Sequence, residues 1–93
     1  MMNRFAPGDI VQHFKRETLS EEDRTAGVYT YEIVGTATHT ESREPLMIYR
    51  ALYGDRQLYA RPLAMFLSEV DREKYPDIRQ KYRFELIETA EKP

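Results

Sequence analysis

The chain has 93 residues, enough for one small domain with a single core and too few for two. Hydrophobic residues make up 41% and charged residues 32%, and fourteen basic against sixteen acidic side chains leave a formal charge of -2, a globular balance without the positive excess of nonspecific nucleic-acid binders. There is no cysteine, which excludes disulfides, thiolate metal sites and cysteine nucleophiles and fits a cytoplasmic location; no apolar run approaches the ~18 residues of a membrane span, and Met1 to Gly8 lacks the apolar stretch of a signal peptide, so no membrane association is expected.

After the turn signal Pro7-Gly8, residues Asp9 to Lys15 alternate with period two and predict a strand, with Ile10 and Phe14 directed to the core. Residues 16–27 are polar, end in glycine, and predict a long loop in which Ser20 followed by Asp23 resembles a helix start. Residues 28–39 are rich in Val, Ile, Tyr and Thr and predict the clearest strand, with Tyr29, Tyr31 and Ile33 on one face and a bulge or bend at Gly35. Thr40 to Pro45 is a turn. Residues 46–53 then predict a strand with Met47, Tyr49 and Ala51 on one face, and Gly54-Asp55 turns the chain into a short strand at Gln57 to Arg61. Leu63, Phe66, Leu67 and Val70 recur at helical spacing after Pro62, predicting a short helix or 3₁₀ turn. Asp71 to Gln80 is a charged connector containing Pro76, Lys81 to Glu88 alternates as a last strand, and residues 89–93 are expected to fray.

This order predicts a mostly β fold, an SH3-like small barrel of about five strands with a short helix or 3₁₀ turn before the last strand, formed by residues 1–93 as one domain. Closure of a strongly bent sheet would account for Gly35 and protect the sheet edges. A five-stranded OB-type barrel fits less well, because its helix normally lies between the third and fourth strands.

The stretches PGDIVQHFK (7–15), YEIVGTATHTES (31–42), MIYRALYGD (47–55), LYARPLAMF (58–66) and RFE (83–85) resemble a widespread family of small bacterial proteins known as domain of unknown function 1653. The resemblance implies a stand-alone bacterial cytoplasmic domain or fusion module of unassigned function and carries over no catalytic residue. The chain differs from the family pattern in its longer first loop and in lacking a tryptophan near Tyr59.

The residues that could carry chemistry are few. Seven tyrosines without a tryptophan skew the aromatic usage, and Tyr49, Tyr53 and Tyr59 fall in the central strands beside Arg50, Arg61 and Asp55. Tyrosine offers a flat apolar face with a polar tip, and arginine stacks or pairs with carboxylate and phosphate. With His13 and His39, this surface predicts a binding module for a small ligand, a peptide segment or a nucleic-acid strand. His39 and Glu41, two apart, could join His13 around a metal and leave a site for water, giving a metal-assisted hydrolase or lyase as the alternative; a hydrogen bond fixing a strand end explains the same pair more simply. A homodimerising accessory protein is the third reading, and either a monomer or a homodimer is compatible with the sequence. No cofactor is implied, since four scattered glycines make no phosphate loop. The run from Arg72 through Lys74, Arg79, Lys81 and Arg83, opposed by Glu73 and Asp77, reads as a solvated connector.

Overall fold

The structure is a computed structural model that describes residues 3–90. Five strands, β1 (Ile10–His13), β2 (Thr30–Thr38), β3 (Pro45–Ala51), β4 (Leu58–Pro62) and β5 (Phe84–Glu88), form one antiparallel sheet in the order β4-β3-β2-β1-β5. Two short helices, α1 (Glu21–Thr25) and α2 (Leu63–Phe66), and a 3₁₀ turn over Phe14–Thr18 complete the elements. The fold is mostly β, as expected. The sheet does not close: β4 and β5 are its two edges. Side chains span that gap instead. α2 follows β4 without a linker, and its Phe66 stacks on Phe84, the first residue of β5, with centroids 3.9 Å apart and planes 6° from parallel.

The inward face of β3 carries Met47, Tyr49 and Ala51, all buried, and β2 contributes Tyr31 and Ile33. Leu63, Phe66 and Leu67 of the helical turn, with Phe5, Val11 and Phe84, complete this main core. At Gly35 the β2–β3 register slips between Ile33 and Gly35, so Val34 is extruded to solvent as a bulge. The first strand differs from expectation. Val11 is fully buried and Ile10 only partly, because apolar residues sit at both parities of β1 and alternation alone does not choose between them. Phe14 is buried, but it leaves the strand in the 3₁₀ turn and packs with Val70 and Ile78 in a second, smaller cluster flanked by Tyr75.

That second cluster changes the reading of the connector. Most side chains of 71–83 face solvent, as expected of a solvated connector, but Ile78 and Gln80 are buried and the backbone is tied down. The Glu17 carboxylate accepts from the backbone N–H of Arg79 at 2.9 Å and of Gln80 at 2.7 Å. The Arg72 guanidinium donates to the carbonyls of Ile78 and Gln80. The buried Gln80 side chain bridges Gln12 to the carbonyl of Tyr82. The expected helix start is present: Ser20 Oγ accepts from the Asp23 N–H at 3.2 Å and caps α1. The start of the predicted frayed tail is anchored too, since the buried Asp9 accepts from the Ala90 N–H at 2.9 Å; residues 91–93 lie outside the described residues. Among the described residues no helix is long and apolar enough to cross a membrane.

Candidate functional site

β1 ends where the chain tightens into the 3₁₀ turn, and this sets the orientation of His13. Its N–H still donates to the Tyr29 carbonyl at 3.0 Å, while its Nδ1 accepts the Lys15 N–H at 3.1 Å and caps the turn. An Nδ1 that accepts leaves the hydrogen of the neutral ring on Nε2. Burial first, then the charges of Arg61, Lys15 and Arg83, hold the His13 pKa down to about 4. The occupied Nδ1 acts in the same direction, because a second proton would need that lone pair. At neutral pH His13 is therefore an uncharged hydrogen-bond donor.

His13 lines a concavity of about 190 Å³ into which several cations converge. Lys15 comes from the 3₁₀ turn, Arg61 from β4, Lys74 from the connector and Arg83 from the residue before β5. Phe14 and Tyr75 supply apolar wall, and Asp71 the one carboxylate on the lining. That carboxylate is already engaged: its Oδ1 accepts from the N–H of Glu73 at 3.0 Å and of Lys74 at 3.4 Å. Arg61 lies over the Phe84 ring, 5.6 Å from the centroid. Arg83 Nε is buried without a hydrogen-bond partner among the described residues. Four basic side chains against one carboxylate give the lining a net positive charge, which favours a bound anion.

Beside this cavity the tyrosines converge as the register requires. Tyr49 and Tyr59 are cross-strand partners with rings 5.7 Å apart, and Met47 pairs with Arg61 on the same face. Tyr31 joins them, 5.3 Å from Tyr49 and 6.4 Å from Tyr59, and its hydroxyl meets that of Tyr53 at 2.9 Å. Burial, and then the hydrogen bond to Tyr53, push the Tyr31 hydroxyl well above its ordinary pKa. Burial also raises Tyr49, against the opposing charge of Arg61 beside it. Tyr49 thus serves the core, Tyr53 is half-buried, and Tyr59 is 40% exposed.

His39 and Glu41 are elsewhere. They sit in the turn after β2, at the opposite end of that strand from Tyr29 and hence from His13, roughly 25–30 Å along nine strand residues. His39 Nδ1 accepts from the N–H of Glu41 at 3.0 Å and of Ser42 at 3.2 Å, and the Glu41 carboxylate accepts from Thr40 Oγ1 at 3.2 Å. The structure does not bring His13, His39 and Glu41 together, and among the described residues no group of three His, Asp or Glu could hold a metal ion. The expected metal-assisted site is not assembled, because an antiparallel β1–β2 pair puts the start of β2, not its end, beside His13.

Sequence reasoning singled out His13 and Arg61 but missed Lys15, Lys74, Tyr75 and Arg83. Lys74 and Arg83 belong to the basic run 72–83, and the available signal was the apolar pair Tyr75 and Ile78 within it, which the second core holds. Two other hollows have their polar groups committed. Arg16 and Arg24, beside one, donate to backbone carbonyls, and Asp9, beside the other, accepts from the N–H groups of Ala6 and Ala90.

These features define a small antiparallel β protein with a cationic, histidine-lined cavity flanked by tyrosines. Residues 9–86 match the family described as protein of unknown function (DUF1653), and the chain belongs to that family. No curated protein and no solved structure matches the chain.

Proposed function

We propose that this chain is a binding module whose cavity around His13 and Arg61 holds an anionic group, a phosphate or carboxylate, of a larger ligand. The convergence of Lys15, Arg61, Lys74 and Arg83 on one concavity, with Asp71 already engaged by backbone, carries the reading. The volume, about 190 Å³, is below the ~300–1,000 Å³ of clefts that enclose drug-sized ligands, so the site suits one charged group with the remainder of the ligand outside. The cations come from three segments, the 3₁₀ turn, β4 and the stretch 71–83, so the fold and not one local charge run brings them together. The strand order, with Phe66 stacked on Phe84 across the open edges, supports an SH3-like architecture in which ring stacking stands in for backbone closure. The lack of cysteine fits a cytoplasmic location.

Thermal denaturation with phosphate or sulfate, against chloride at equal ionic strength, tests the reading. Phosphate is expected to raise the midpoint by several degrees at millimolar concentration, about 4–8 °C per kcal/mol of binding for a chain of this size. Arg61→Met, which keeps the apolar stem over Phe84, is expected to remove that rise. Midpoints that follow ionic strength alone would sink the proposal.

A further inference from the structure

The cavity takes one charged group, so the groups at its rim select the ligand. Tyr29 does not line the cavity itself but neighbours His13, which does, with ring centroids 5.7 Å apart. Its backbone lies in the left-handed region at φ 64°, a conformation that a bulky side chain rarely adopts and that concentrates at functional sites. The surroundings enforce it. The Tyr29 carbonyl accepts the His13 N–H, and the next residue, Thr30, is bound back to the Gly27 carbonyl through both its N–H at 3.1 Å and its Oγ1 at 2.6 Å. Beyond Tyr29 is Tyr53, centroids 6.1 Å apart and planes at 74°, with its hydroxyl held by Tyr31. Both rings are half-buried, and neither belongs to the fully buried core. Packed against the main core on one side, they form an aromatic corner that meets the cation-lined cavity through the His13 ring.

We propose that the anion is the phosphate of a nucleotide whose base lies against Tyr29 and Tyr53, an inference that rests on the anion-binding reading above. A flat ring laid on one tyrosine presents its edge to the other, the offset geometry that aromatic pairs prefer. A phosphate carries up to two negative charges, which suits several converging cations better than a single carboxylate does. Cationic ligands, including methylated amines that aromatic corners otherwise accept, are repelled by Lys15, Arg61 and Arg83. The phosphate belongs either to a free mononucleotide or to a single strand, and the chemistry at the site is shared.

Isothermal titration calorimetry on the full chain at about 50 mM salt, with the four common ribonucleoside monophosphates, ribose 5-phosphate and adenosine, tests this. At least one nucleotide is expected to bind about ten-fold or more tightly than ribose 5-phosphate, the increment of one stacked base. Tyrosine emission, unmasked in a chain without tryptophan, should be quenched with the same midpoint. Tyr29→Gly removes the ring and tolerates the positive φ; it should bring the nucleotide down to the affinity of ribose 5-phosphate, which itself stays unchanged, while Tyr29→Phe retains the difference. Nucleotides that bind no more tightly than ribose 5-phosphate would overturn the base contact and leave the anion site standing. If no phosphate compound binds, the nucleotide reading falls and the anion site is restricted to carboxylates, and adenosine binding as tightly as its monophosphate would overturn the phosphate anchor. A 5′-phosphorylated hexanucleotide that binds more tightly than every mononucleotide identifies a strand as the source; equal affinity identifies the free nucleotide.

Discussion

The two histidines make nearly the same local hydrogen bonds and stand in opposite surroundings. In each, Nδ1 accepts backbone N–H groups a few residues ahead and stiffens a turn. His39 does so on an exposed hairpin, where the flanking residues Thr40 to Pro45 all face solvent. His13 does so against the Phe84 ring at 5.0 Å and the Phe14 ring at 4.3 Å, within the fields of Arg61, Lys15 and Arg83. The turn motif is therefore a folding device in both places. What separates them is the second layer, the core aromatics beneath and the cations around, and only the His13 end has one.

The largest effect expected from that contrast is on Phe84. It is almost fully buried, stacks on Phe66, and touches the rings of His13, Tyr31 and Tyr49. Removing it deletes the floor beneath His13 and the contact that spans the open sheet edges. Phe84→Ala should cost about 3–5 kcal/mol in urea denaturation, the usual price of an aromatic core truncation. A loss below about 1.5 kcal/mol would mean that the edges are held together by something other than this stack.

A smaller effect separates the His13 end by pH. The His13 pKa is about 4 in the folded chain against an ordinary 6.5 in the unfolded one. Between those values the unfolded chain binds a proton that the folded chain refuses, so stability rises with pH through this window and is flat above it. Acidification from pH 7 toward 4 should therefore destabilise the wild type. The full shift sets a ceiling near 3 kcal/mol, and solvent screening of a partly buried ring reduces it to about 1–2 kcal/mol. His13→Gln, which has no proton to gain, should lose that much less over the same range. Parallel slopes for the two proteins would show that neither burial nor the surrounding cations depress the His13 pKa.

Much of the fold was legible because it rests on local pattern. The inward face of β3, the bulge at Gly35, the helix cap at Ser20 and the helical turn of Leu63 and Phe66 each follow from residues close in sequence; Val70, at the same spacing, lies past the end of the helix and packs in the second cluster. The alternation in β1 was ambiguous because Ile10 and Val11 are both apolar, and a bulge against β5 between them leaves no simple parity to read. The site was half legible. Arg61 and the tyrosines share a face by register, and His13 follows from the end of β1. The rest depends on one long-range event, the docking of 71–83 onto the 3₁₀ turn through Glu17 and the Phe14 cluster. A run of alternating charges gives no periodic sign of such docking, since the bonds that secure it go to backbone N–H and carbonyl groups that every residue possesses.

The smallest effect is expected at the other histidine, and it tests the contrast most sharply. His39→Ala deletes an acceptor for two N–H groups in a turn where Arg43 already holds a positive φ of 66°. Those N–H groups are exposed, so water replaces most of what is lost, and about 0.5–1 kcal/mol is expected, as for an exposed cap. Glu41→Gln should cost less, because the Glu41 carboxylate accepts from the neighbouring Thr40 hydroxyl, a bond that the glutamine amide oxygen can still accept. Neither change should alter phosphate binding, since both residues lie at the far end of β2 from the cavity. The thermal midpoint and the phosphate-induced rise can be read from one experiment on each variant. If either variant lost the rise while its midpoint in chloride stayed within a few degrees of wild type, the His39 turn would belong to the binding surface. The separation of the two histidines into one structural and one functional end would then fail.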